Sequence, residues 1–243
     1  PEMITQIHEN HLNAGCDIIE TNTFGGTPLV LDEYGIGTQA DAINGAAAEL
    51  ARAAADKFAT PEKPRFVAGS IGPTTKAISV TGGVTFDELI DNFHAQARAL
   101  QAGGVDFFLF ETCQDTRNVK AGLLAIERLR SETGSALPIA VSGTIEPMGT
   151  MLAGQTVDAL YASLCHVDLL YLGLNCATGP EFMTDHLRTL SEISKFPIAC
   201  VPNAGLPDED GNYLESPEMM TRVLRRFGNE GWINLIGGCC GTT

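Results

Sequence analysis

The chain has 243 residues, 30 acidic against 15 basic, a formal charge of −15 and a hydrophobic share of 44%. No cluster of Lys and Arg offers itself to a phosphate surface, which excludes a nucleic-acid or anionic-membrane partner. With 19% charged residues and no low-complexity stretch it is a folded globular chain, of the length one α/β barrel uses.

The amphipathic residues 2–14 predict a first helix, and the apolar run 18–24 a strand after it. Helical period and short apolar runs then alternate. Helices are predicted over 40–58, 85–102, 118–132, 156–166, 181–195 and 216–231, and strands over 65–71, 106–112, 138–145, 169–176, 197–202 and 233–238. Runs such as Phe107-Phe108-Leu109-Phe110 are apolar at consecutive positions, as a parallel strand buried on both faces requires. The alternation fits either an open doubly wound sheet or a closed (β/α)8 barrel. Seven strands preceded by a helix read as a barrel without its first strand, and no linker divides residues 1–243, so one domain is expected. No apolar run reaches the roughly 18 residues of a membrane span, and the N-terminal residues lack the core of a signal peptide. The chain starts at Pro1 rather than Met, so an upstream segment is expected.

Polar residues crowd the predicted strand ends: Glu20, Asn22, Ser70, Glu111, Thr112, Ser142, Thr144, Asn175, Cys176, Asn203, Cys239 and Cys240. Any one of them could cap the next helix. Their density points to a site, because both architectures build sites on that face.

Seven cysteines, an odd number in a chain too long to need disulfide staples, read as free thiols in a reduced, cytoplasmic compartment. Cys16, Cys113, Cys165 and Cys200 read as core residues. Cys239 and Cys240 differ, being adjacent and flanked by Gly237, Gly238 and Gly241, which permit the contorted backbone two neighbouring ligands need. Cys176 closes an earlier strand. Spacing does not by itself join it to the pair, since the compact CxxC knuckle is absent. Three such thiolates would suit a catalytic zinc with one open position.

Other patterns carry less. The Gly35 to Ala40 run matches a dinucleotide fingerprint without the strand it needs, and the Gly69 to Lys76 run is no P-loop because Pro73 follows its second glycine. Asp208 to Gly211 reads as a turn, and His8 and His11 as surface residues.

Four segments, Glu20-Thr21-Asn22-Thr23-Phe24, Gly173-Leu174-Asn175-Cys176, Pro202-Asn203-Ala204-Gly205-Leu206-Pro207 and Gly237-Gly238-Cys239-Cys240-Gly241-Thr242-Thr243, closely resemble the homocysteine-binding zinc domain of the homocysteine S-methyltransferase family. The likeness runs over essentially the whole chain and is greatest to the N-terminal homocysteine domain of cobalamin-dependent methionine synthase. The resemblance implies a (β/α)8 barrel that binds one zinc through Cys176, Cys239 and Cys240, with the sulfur of L-homocysteine as a further ligand. It implies that Glu111 holds the substrate ammonium and that Asn203 can approach the metal when substrate is absent. Asn22 is counted with these two as substrate-binding.

The implied reaction is methyl transfer to the homocysteine thiol, giving methionine. The donor is not encoded in these residues; the motif likeness ranks methylcobalamin on a separate module first, a sulfonium such as S-methylmethionine second and betaine third. The family's Gly-rich first strand and final helix have no counterpart here, so the chain reads as a trimmed barrel. Two alternatives stay open: a thiol-redox protein using a Cys239–Cys240 disulfide, and a non-catalytic scaffold.

Overall fold

The structure, a computed structural model, describes residues 1–243. Seven strands alternate with helices in chain order, the α/β class of a partial (β/α)8 barrel. The chain divides into two compact units, one of residues 1–78, 82–110 and 119–138, the other of residues 79–81, 111–118 and 139–243. No helix is long and apolar enough to cross a membrane.

The first unit opens with α1 (Glu2–Ala14), which ends at Gly15 with φ 110, a left-handed cap that suits glycine. It continues through β1 (Ile18–Glu20), α2 (Pro28–Asp32), α3 (Ala40–Phe58), β2 (Phe66–Ile71) and α4 (Phe86–Ala102). It also holds β3 (Phe107–Cys113) as far as Phe110 and α5 (Thr116–Thr133) from Val119. Strands β1, β2 and β3 pair in parallel, with Ile19 opposite Val67 and Gly69 opposite Phe108. Helix α3 buries a face of alanines, Ala47, Ala48, Ala51, Ala54 and Ala55. Small residues let its neighbour approach: a Cβ on Gly103 would lie 2.5 Å from the Ala48 Cβ and 2.7 Å from the Gly45 carbonyl oxygen. Helix α4 starts at a capping box, in which Thr85 Oγ1 accepts from the Glu88 N–H and the Glu88 carboxylate accepts from the Thr85 N–H.

Three details of this unit depart from the sequence reading. Strand β1 stops at Glu20 rather than at residue 24. Thr23 Oγ1 donates to the Ser70 carbonyl at 2.7 Å and the Gly26 N–H returns to the Thr23 carbonyl at 2.8 Å, so the chain turns there. The short helix α2 was not expected, although Thr27 accepting from the Val30 N–H and Pro28 in the first turn are its signal. His8 is buried rather than on the surface, and burial, then the neighbouring His11, holds its pKa below the usual histidine value.

The second unit carries β4 (Ile139–Gly143), α6 (Val157–Leu164), β5 (Tyr171–Asn175), α7 (Thr184–Ile193), β6 (Ile198–Val201), α8 (Pro217–Asn229) and β7 (Leu235–Ile236). These strands are again parallel neighbours in order, with Ser142 opposite Gly173, Asn175 opposite Val201, and Cys200 opposite Ile236. The register matters because the ladder continues past the strand ends. The Cys176 N–H donates to the Val201 carbonyl at 3.1 Å, and the Cys239 N–H to the Pro202 carbonyl at 2.8 Å. The residues that follow β5, β6 and β7 are thereby held side by side.

Candidate metal centre

Cys176 follows β5 with φ 64 and Ala177 follows it with φ 55. Non-glycine residues in the left-handed region cost on the order of 1–3 kcal/mol each and persist where surrounding structure imposes them. Here the Thr178 N–H donates to the Cys176 carbonyl at 2.7 Å, and the Asn203 N–H donates to the Thr178 carbonyl at 3.1 Å. The turn after β5 is thus tied to the loop after β6.

Cys239 and Cys240 lie just past β7. The Ala204 N–H donates to the Cys240 carbonyl at 2.9 Å, and the Cys240 N–H donates to Asn203 Oδ1 at 3.1 Å. Thr242 Oγ1 closes the turn onto the Cys239 carbonyl at 2.8 Å. Two glycines make this possible. A Cβ on Gly238 would lie 2.4 Å from Thr242 Oγ1, and Gly241, at φ 75, would place one 2.1 Å from the Tyr213 ring.

The outcome is a cluster of three sulfurs, Cys176, Cys239 and Cys240, all within 4.8 Å of one another. Cys176 Sγ lies 3.8 Å and Cys239 Sγ 3.9 Å from Cys240 Sγ. A tetrahedral zinc with Zn–S of about 2.3 Å separates its ligand sulfurs by about 3.8 Å, so the spacing fits that ion.

The electrostatics agree with the geometry. Hydrogen bonding from the Cys239 thiol outweighs burial and, with the Ala177 N–H, the Cys240 thiol and the Asn203 side chain, brings the Cys176 pKa down to about 6. Cys239 is pushed up, first by that same hydrogen bond and then by burial and the neighbouring negative charge. One thiol therefore ionises readily and its neighbour resists. Like charges this close cannot all form unless a cation neutralises them, and the thiolate is the form that binds metal.

Asn203 is buried and spans both turns, its Oδ1 on the Cys240 N–H and its side chain on the Cys176 sulfur. Glu111 is half-buried near the end of β3. The residue after it, Thr112, has φ 53 and is clamped by Asn175, whose Oδ1 accepts from the Thr112 N–H at 2.9 Å and whose Nδ2 donates to Thr112 Oγ1 at 2.8 Å. Asn175 thus fixes the strand end that presents Glu111, and it immediately precedes Cys176. Asn22 is exposed just past β1, in the first unit.

Tyr213 was not singled out in the sequence. It packs on Gly241 and hydrogen-bonds the Cys240 sulfur, and partial burial, then the Cys240 charge, raises the phenol's pKa. Its only sequence signal is its place after the Asp208 turn, whose carboxylate accepts the N–H groups of Asp210 at 3.0 Å and Asn212 at 2.8 Å.

Of the remaining cysteines, Cys113 and Cys200 are buried as expected, and burial pushes the Cys200 thiol up to about 12. Cys16 is exposed and Cys165 half-buried, against expectation, because both stand just past the ends of helices, α1 and α6. Gly35 leads through a single 3-10 turn into α3, a loop into a helix rather than a dinucleotide fold.

Comparison with solved structures finds the same fold in the metallated form of the homocysteine methyltransferase MmuM from Escherichia coli. It is 23% identical with a TM-score of 0.81, covering 100% of this chain and 81% of that one. The oxidised form of the same enzyme matches at 21% identity and a TM-score of 0.79, with coverage of 100% and 81%. A GH1 β-glucosidase from Exiguobacterium antarcticum B7 shares the fold more loosely, at 15% identity and a TM-score of 0.60, covering 98% of this chain and 76% of that one. Over residues 1–243 the sequence matches the family described as homocysteine S-methyltransferase, and the chain belongs to that family.

Proposed function

We propose that residues 1–243 act as one homocysteine-binding zinc barrel domain that transfers a methyl group to the thiol of L-homocysteine, giving methionine. The observation that carries this reading is the convergence of Cys176, Cys239 and Cys240 from two strand ends to within 4.8 Å. These three residues would hold zinc and leave one position open. A zinc ion there supplies positive charge that favours the deprotonated form of a fourth sulfur and keeps that sulfur in place.

The chain's own groups do the rest. Three thiolates keep the centre rich in electrons, so a substrate sulfur beside them stays nucleophilic. Glu111, presented at a strand end stiffened by the Asn175 clamp on Thr112, holds the substrate ammonium. Asn203, bonded to both cysteine turns, keeps them in register as substrate enters. The donor we favour is methylcobalamin on a separate module, on the strength of the Pro202 to Pro207 run; a sulfonium or betaine would present a methyl carbon to the same sulfur. The cytoplasm is the compartment that keeps these thiols reduced.

Replacing Cys176, Cys239 or Cys240 by Ala should each remove most of the zinc after dialysis against chelator, while Ala at Cys16, Cys113, Cys165 or Cys200 should leave about one ion per chain, since only the first set converges on one point. Elemental analysis measures this, and equal zinc in the two sets would overturn the assignment.

A further inference from the structure

The segment that follows the Asp208 turn runs back over the cysteine turns as an extended strap. Pro207 and Tyr213 form an antiparallel bridge, and beyond it the side chains alternate. Tyr213 faces Gly241, Leu214 points to solvent at 71% exposed, and Glu215 faces inward. The Glu215 side chain lies against two glycines from two different loops. A Cβ on Gly179 would sit 2.5 Å from Glu215 Oε1 and 3.0 Å from its Cδ, and a Cβ on Gly205 would sit 3.1 Å from its Cγ.

Each of those glycines adjoins a residue already tied to a sulfur-bearing turn. Gly179 follows Thr178, which donates to the Cys176 carbonyl. Gly205 follows Ala204, which donates to the Cys240 carbonyl, and the Glu215 N–H itself donates to the Ala204 carbonyl at 3.2 Å.

We propose that Glu215 is a positioning residue whose side chain, wedged between Gly179 and Gly205, sets the separation of the turns that carry Cys176 and Cys240. The proposal rests on the reading of the three cysteines as one centre. Reach, rather than charge, is what the wedge supplies. Glu215 touches neither metal nor substrate in this role; it acts through the two loops.

Two conservative substitutions separate reach from charge. Glu215→Asp keeps the carboxylate but withdraws it by one methylene from Gly179, and Glu215→Gln keeps the length but removes the charge. In the full chain, Glu215→Asp should weaken zinc roughly tenfold in competition with a chromophoric chelator, within the roughly 10–100-fold that loss of an outer support of metal ligands brings. It should also alter the sulfur-to-metal charge-transfer bands of the cobalt(II)-substituted protein. Glu215→Gln should match the parent in both, and the thermal midpoint of each variant reports any general loss of fold.

A metal-free readout keeps the inference separate from the zinc assignment. Phenylarsine oxide bridges two thiols at a fixed spacing, forming two As–S bonds and releasing water. Its capture of Cys176 with Cys240, mapped by mass spectrometry, should slow in Glu215→Asp and not in Glu215→Gln. Parent behaviour in Glu215→Asp, or equal impairment in Glu215→Gln, overturns the proposal. If the parent protein holds no zinc, the metal reading fails and the arsenical comparison still decides this one.

Discussion

At the residue scale the sharpest consequence concerns Cys176. Its thiol is an acid whose pKa is lowered to about 6 by the hydrogen bonds it receives, from Cys239 first, so in metal-free protein its thiolate prevails above that pH and is lost below it. An ordinary cysteine makes the same change near about 8.5. Alkylation of the reduced, metal-free protein by iodoacetamide, followed by peptide mapping, should therefore show Cys176 modified with a midpoint near about 6. Cys113 and Cys200, buried and pushed up, should stay unmodified across the range. A Cys176 midpoint at the ordinary value would mean that the cluster does not share its protons as the geometry requires. The glycines marked Cys239 and Cys240, and only the family resemblance joined Cys176 to them; what gathers the three is the parallel register of β5, β6 and β7 and a left-handed turn on non-glycine residues, which spacing does not show.

At the element scale, much was legible from periodicity. Helix α3 has the expected bounds, and Phe107 to Phe110 are buried at every position, because a strand covered on both faces must be apolar throughout. Strand ends were less legible: β7 is confined to Leu235–Ile236, although the Gly237 N–H still donates to the Cys200 carbonyl at 3.1 Å and the Cys239 N–H to the Pro202 carbonyl at 2.8 Å before the chain turns. Helix α5 offers a test of how tightly the elements are packed. Gly122 lies in that helix, and a Cβ there would fall 2.3 Å from Cε1 of the Phe110 ring, which is buried and meets Phe93 edge-on at 5.6 Å. Helix propensity alone would make Gly122→Ala stabilising by about 1 kcal/mol. The fixed ring reverses the sign, and we expect a net loss of about 1–3 kcal/mol, the usual cost of overfilling a packed core. Chemical denaturation measures it; a stabilised variant would show that the contact between α5 and β3 is looser than described.

At the scale of the whole molecule, the alternation of strand and helix narrowed the architecture to an open sheet or a barrel, and seven strands behind a leading helix, together with the family resemblance, pointed to the barrel. The division into two compact units was not legible, because it cuts through β3 and α5 rather than falling at a linker. Tyr213 and Glu215 escaped notice for a related reason: their significance comes from the glycines they cover, of which Gly179 and Gly241 belong to loops distant in sequence. In the proposed function the folded chain takes the homocysteine sulfur as thiolate. A thiol with a pKa near about 8.5 is mostly protonated at neutral pH and must lose its proton to become a metal ligand. Calorimetric titration of the zinc-loaded protein with L-homocysteine, in pairs of buffers with different ionisation enthalpies across a pH series, counts the protons released. Close to one proton per homocysteine should be released near pH 7, falling towards zero well above about 8.5, where the free thiol is already ionised. Binding that releases no proton at any pH would contradict it.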